Sequence, residues 1–113
     1  MYTLTYHIGG AADTYRIPVP IPGRVTHANC VVDLQDVATA EKVITLTNGT
    51  STIGTITVAV DAVEGDIDNL VVNATTLGKV LVGPTAPIVA AMAGAGNGKM
   101  TITFVVDDLF GAS

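Results

Sequence analysis

The stretch Glu41 to Val60, E-K-V-I-T-L-T-N-G-T-S-T-I-G-T-I-T-V-A-V, limits what this chain can become. Two β-branched runs meet at Asn48-Gly49, two residues that accept positive φ, and this combination is the strongest short hairpin signal. The loop length decides which side chains are buried. A two-residue loop pairs Ile44 with Ile53 and sends Ile56 and Val58 to the face opposite Ile44 and Leu46. A three-residue loop, Asn48 to Thr50, pairs Thr47 with Ser51 and Ile44 with Gly54. It puts Ile44, Leu46, Ile56, Val58 and Val60 on one face and Thr45, Thr55 and Thr57 on the other. Because a slip of one residue moves a strand's whole apolar set into water, the apolar pattern sets the register. The hairpin is therefore expected to have an odd-length loop.

The same alternation recurs along the chain. Tyr2, Leu4, Tyr6 and Ile8 alternate with Thr3, Thr5 and His7, as in a half-buried strand. Arg24 to Leu34 is expected to place Ala28, Cys30, Val32 and Leu34 on one face. Lys99 to Val106 is expected to turn Met100, Ile102, Phe104 and Val106 inward and Thr101, Thr103 and Val105 outward. Leu70–Val72 and 79–82 are further short strands, and the apolar run Ala86 to Met92 suits a buried one. Asp33 to Glu41 reads as a loop or short helical turn, and 75–77 and Gly94–Gly98 as turns. These residues form one domain, 1–113, all-β, an antiparallel β-sandwich or jelly-roll-like barrel of about eight short strands.

One segment breaks the pattern. In Tyr15 to Gly23, Y-R-I-P-V-P-I-P-G, prolines at 18, 20 and 22 remove N–H groups from a single edge. It can ladder on one side at most, as an edge strand, or run as an extended arm that lays Ile17, Val19 and Ile21 on a neighbour.

Composition bears on partners. Charged residues make up 13% of the chain, about half the usual share. Threonine takes the exposed polar role, and a surface this poor in charge suits coverage by other subunits. Net charge is −5 and the five basic residues are scattered, which argues against nucleic acid. No stretch reaches the roughly 20 apolar residues of a membrane span, and no secretory signal is expected at the N-terminus. A single cysteine, Cys30, rules out an internal disulfide framework.

Candidate chemistry is thin. Ala93 to Met100, A-G-A-G-N-G-K-M, resembles a phosphate loop but lacks its first glycine, its Ser/Thr and the following helix. His27 and Cys30 are three apart on a strand, so they face opposite sides and cannot share a metal. Asp61, Glu64, Asp66 and Asp68 offer oxygens but not calcium-loop spacing, and a solvated turn explains them as well. The sequons Asn48-Gly49-Thr50 and Asn73-Ala74-Thr75 read as turn chemistry. No nucleophile elbow or Ser/His/Asp arrangement is visible, and no cofactor or catalytic residue is expected.

The order of these features resembles the small β-sandwich virion proteins of tailed bacteriophages, the head decoration or capsid cement class. The resemblance runs through I-P-V-P-I-P-G-R-V (Ile17 to Val25), A-N-C-V-V-D (Ala28 to Asp33), the hairpin Val43 to Val58, the acidic turn G-D-I-D (Gly65 to Asp68) and the closing T-I-T-F-V-V (Thr101 to Val106). It implies a non-enzymatic protein, commonly a homotrimer, on the outer capsid surface of the virion. Its partners would be the major capsid protein and itself. Contacts are then expected at Tyr2, Leu4, Ile17, Pro18, Val19, Pro20, Ile21 and Pro22. The alternative is a tail or fibre module that binds a host surface or glycan.

Overall fold

The structure is a computed structural model that describes residues 2–9, 13–34, 41–59, 62–72, 80–94 and 98–108. Ten strands are described: β1 (Tyr2–Gly9), β2 (Thr14–Ile17), β3 (Gly23–Leu34), β4 (Lys42–Thr47), β5 (Thr52–Val58), β6 (Ile67–Asn69), β7 (Val71–Val72), β8 (Leu81–Val82), β9 (Ile88–Ala93) and β10 (Lys99–Asp108). They form two five-stranded antiparallel sheets packed as a β-sandwich. Sheet A runs β1-β10-β3-β6, with β8 also pairing β3, and sheet B runs β2-β9-β4-β5-β7.

Alternation built both inner faces. From sheet A, Ile8, Cys30, Val32, Met100, Ile102 and Phe104 are buried, and from sheet B, Ile17, Ile44, Leu46, Ile56, Val58 and Ile88. Each of these side chains except the smaller Cys30 contributes roughly 1.5–3 kcal/mol by leaving water. Thr101, Thr103 and Val105 lie on the opposite face of β10, half-buried, as alternation requires. Lys42 is also buried, on the core side of β4 and opposite Val58; desolvation lowers its pKa.

The central hairpin keeps the expected parity by another route. Ile44 pairs with Ile56 and Leu46 with Gly54, so Ile44, Leu46, Ile56 and Val58 share the core face. Yet Thr47 pairs with Thr52, which leaves the four residues 48–51 in the loop and a register slip beside Leu46. The expected three-residue loop, with Ile44 opposite Gly54, is thus replaced by a four-residue turn plus a β-bulge, which shift the register by two residues and keep the same parity. The slip also brings Ile53 into the core. Asn48 explains the longer turn. Its Oδ1 accepts from Thr50 N at 3.0 Å and Ser51 N at 2.8 Å, and Gly49 sits at φ 95°. Its Nδ2 donates to Leu81 O at 2.9 Å, tying a sheet B hairpin to β8 of sheet A. Asn48→Ala is expected to cost about 1–3 kcal/mol in urea unfolding, because several backbone groups lose their partner.

Bulges account for two further departures from strict alternation, one of which corrects an expectation. Val105 pairs with His27 but Val106 pairs with Val25, so Thr26 is an extra residue in β3. Val25 and Ala28, three apart, are both buried as a result. A second slip falls between Lys99 and Met100, opposite Leu34 and Val32. Leu34, expected beside Cys30 and Val32, lies past the core and is 54% exposed.

At one side of the sandwich, 67–72 passes from sheet to sheet. Ile67–Asn69 pairs with β3 in sheet A, Leu70 N donates to Ala28 O at 2.9 Å, and Val71–Val72 pairs with β5 in sheet B. Leu70 sits at the corner, half-buried against the core. The expected helical turn at 35–40, the turns at 75–77 and 95–97, Val60, Asp61 and the Asn73 sequon lie outside the described residues.

Candidate functional surface

The outward face of sheet A follows directly from the registers. Thr5, Thr103, Asn29 and Asn69 stand in one cross-strand row. His7, Thr101, Val31 and Ile67 form the next, and Thr3, Val105 and His27 the row beyond. These three rows hold no Asp, Glu, Lys or Arg. The outward face of sheet B is similar, with Ala91 beside the pair Thr45–Thr55, Ala93 beside Val43–Thr57 and Val89 beside Thr47; Arg16, opposite Val89 at its edge, is the charged exception among the described residues. Charge is gathered at the ends and turns, where Asp13, Arg24, Asp33, Glu41, Glu64, Asp66, Lys99 and Asp107 are exposed; of these, Asp33 near the end of β3 reaches the sheet A face through Thr101.

Both histidines are on the sheet A face, and each is held by a threonine. Thr101 Oγ1 donates to Asp33 Oδ2, so the 3.0 Å contact between His7 Nδ1 and Thr101 Oγ1 places the proton on Nδ1. Thr26 Oγ1 donates to Val105 O at 3.3 Å, and His27 Nδ1 lies 3.2 Å from Thr26 Oγ1. In both cases the hydroxyl stands between imidazole and acceptor. The imidazole donates to the threonine, and so is not placed to act as its base. Between β10, β3 and β6 lies a trough of about 390 Å³ lined by Thr26, His27, Asn29, Asn69 and Thr103 among others. It presents hydroxyl, amide and imidazole groups and no Asp, Glu, Lys or Arg.

The acidic turn is closed by its own groups. Asp66 N donates to Val63 O and Val63 N to Asp66 Oδ2, both at 3.1 Å, with Gly65 at φ 93°. Among the described residues no three His, Cys, Asp or Glu side chains gather as metal ligands. Asp68 pairs with Cys30 across β6 and β3 and so shares its face. Desolvation, then the charge of Asp66, raises the Asp68 pKa. Burial pushes the Cys30 thiol up to about 12, with the Asp68 and Asp33 charges adding to it. His27 is exposed and Cys30 fully buried, on opposite sides of β3.

A raised carboxyl pKa means that the folded state binds the proton more tightly than the unfolded state. Stability from this group is therefore present at low pH and lost as pH rises through the folded pKa. Asp68→Asn is expected to raise the melting temperature at pH 7. The gain should shrink as pH falls through the raised pKa and vanish below the ordinary value of 3.8. Melting curves of both proteins from pH 7 to pH 3 check this.

The expected contact residues separate in space. Ile17 and Val19 are each 2% exposed and lie in the core, whereas Pro18 and Pro20 are exposed and Ile21 is 42% exposed. Pro22 is half-buried and stands over Gly83, where an added Cβ would meet Pro22 Cα at 3.3 Å. Only Thr14–Ile17 ladders, as an edge strand on β9, and the prolines follow it outside any strand. Tyr2 and Leu4 are half-buried, and Tyr2 Oη donates to Ile21 O at 2.5 Å, so the first strand and the proline segment do meet. Tyr6 and Tyr15 pack edge to face with centroids 6.4 Å apart, joining the outer strands of the two sheets.

The His7–Thr101 pair depends on the register between distant strands, and its signal in the sequence is the Thr/His alternation of Thr3-Leu4-Thr5-Tyr6-His7 and Thr101-Ile102-Thr103; His27 and Thr26 are neighbours in β3, brought together where Thr26 is the extra residue. No family model matches the chain, and no curated protein matches it.

Proposed function

We propose that this protein is a structural virion component that decorates and stabilises a phage capsid by binding the outer surface of its major capsid subunits. The observation that carries the reading is the pair of broad sheet faces whose cross-strand rows are almost free of charge. Threonine, asparagine and valine faces lose little hydration free energy when covered, whereas charged faces resist burial. Exposed Ile21, Ile67 and Val71 add apolar contact area around their rims. The mechanism is multivalent: many copies, each bound modestly, clamp neighbouring shell subunits and gain from effective concentration. The resemblance in strand and turn order supports the same reading.

Localisation in a reconstruction of the virion that carries this chain tests it. Density over the shell, with one of the two sheet faces against capsid subunits, is the expected result. Density confined to the tail, or reproducible binding to a glycan array, would overturn it in favour of a host-binding module.

A further inference from the structure

Five of the strands lie at sheet edges, and four of them are protected, among them β8, which has two residues and, among the described residues, pairs only with β3. β2 is four residues long, carries Arg16 and runs into Pro18; β6 has three residues and β7 two. Short length, charge and proline are the usual means of blocking unwanted pairing at a sheet edge. β1 has none of them. It is eight residues long and contains no proline and no Asp, Glu, Lys or Arg. Its ladder with β10 runs from Tyr2 to Gly9 without a slip, whereas the β10–β3 ladder slips twice. From Thr3 to Gly9 the strand is laddered on one side only among the described residues. Its inward row is also incompletely covered, since Leu4 and Tyr6 remain half-exposed while Ile8 is buried.

We infer that β1 is a self-association edge, where two copies of this chain pair their β1 strands antiparallel about a twofold axis and join two A sheets into one. The occupant follows from the strand itself. A twofold ladder must pair residues of the same face, so its centre falls on a residue. The longest ladder available to Thr3–Gly9 centres on Tyr6. It sets Leu4 against Ile8 of the second copy, Tyr6 against Tyr6, Thr5 against His7 and Thr3 against Gly9. Apolar meets apolar on the inner face, and small or polar groups meet on the outer face.

Charge at the strand ends selects the antiparallel sense. Exposed Asp107 lies just beyond Val106, the partner of Tyr2, and exposed Lys99 is the partner of Gly9. Antiparallel pairing brings the acidic end of one copy alongside the basic end of the other, and parallel pairing would bring like to like. With strands about 4.8 Å apart these groups orient the encounter and do not touch. This inference goes beyond the capsid reading and does not rest on it, since the association is a property of the free protein.

Sedimentation and amide exchange on the full chain test it. The expected species has twice the chain mass and dissociates on dilution. Alternate amides of Thr3–Gly9, those directed away from β10, should be protected at high concentration and exposed at low. The double variant T3K/T5K alters two exposed outer-face residues and sets like charges around the axis. It should sediment as a single chain at all concentrations, with the melting temperature of the dilute parent. A parent that stays at one chain mass, a threefold mass, or a twofold mass unchanged in T3K/T5K would each overturn the inference. So would a dimer whose β1 amides exchange independently of concentration, a result that needs no variant to fold.

Discussion

Ile17→Ser and Val19→Ser are each expected to cost about 2–5 kcal/mol of unfolding free energy, while Ile21→Ser changes it by less than about 0.5 kcal/mol. The three residues alternate with prolines in one short segment, and by sequence they form a single apolar row. In the fold they part company. Ile17 and Val19 reach the core at 2% exposure, so serine there leaves a cavity and buries a hydroxyl. Ile21 is 42% exposed and uses its carbonyl, not its side chain, to accept from Tyr2 Oη. Urea titrations of the three single variants check the contrast. If the proline segment also touches a neighbour, only Ile21→Ser, with Pro18 and Pro20, can report it cleanly, by weakened assembly at unchanged melting temperature.

The second large effect is expected at Gly54. Gly54→Val should destabilise by about 3 kcal/mol or more, and Gly54→Ala should already be costly. An added Cβ would strike the carbonyl oxygen of Val71 and lie 2.9 Å from Leu70 Cδ1. The obstacle is therefore backbone first and side chain second. Trimming the side chain with Leu70→Ala should not rescue Gly54→Ala, because Val71 O stays where β7 pairs with β5. Chemical unfolding of both single variants and the double variant checks this. Rescue by Leu70→Ala would show that the backbone can yield.

These two sites show what sequence reasoning can reach. Period-two alternation identified nearly every inward residue of β10, because a strand's two faces are fixed by neighbours along the chain. The parity of the central hairpin was legible for the same reason: Ile44, Leu46, Ile56 and Val58 must share a face. The loop was not, because a bulge beside Leu46 and a longer turn give the same parity as a shorter loop. Leu34 and Val25 were misplaced or missed, since slips at Lys99–Met100 and Val105–Val106 are properties of pairing between β3 and β10 and leave no local trace. The proline segment was readable as laddered on one side at most, because absent N–H groups are written in the sequence; that the edge strand stops at Ile17 and the prolines run on outside any strand was not. How deeply Val19 would sink depends on what stands across the sandwich. The uncharged faces were foreshadowed by composition, but the gathering of charge at the ends needed the fold.

The order of strands in sheet A has a consequence for how the chain is made. β10 lies between β1 and β3, and the contact of His7 with Thr101 closes a loop of 94 positions. During synthesis β1 and β3 emerge early, yet each must wait for β10 before either has its main ladder. Sheet B can close its β4–β5 hairpin long before that, through neighbours in sequence. The growing chain therefore carries a half-built sandwich with an open slot, and the last strand to appear must thread into it. Refolding from denaturant should show this as a rate in the millisecond-to-second range set by that final insertion. A chaperone that holds the slot open would govern yield more than one that speeds the hairpin.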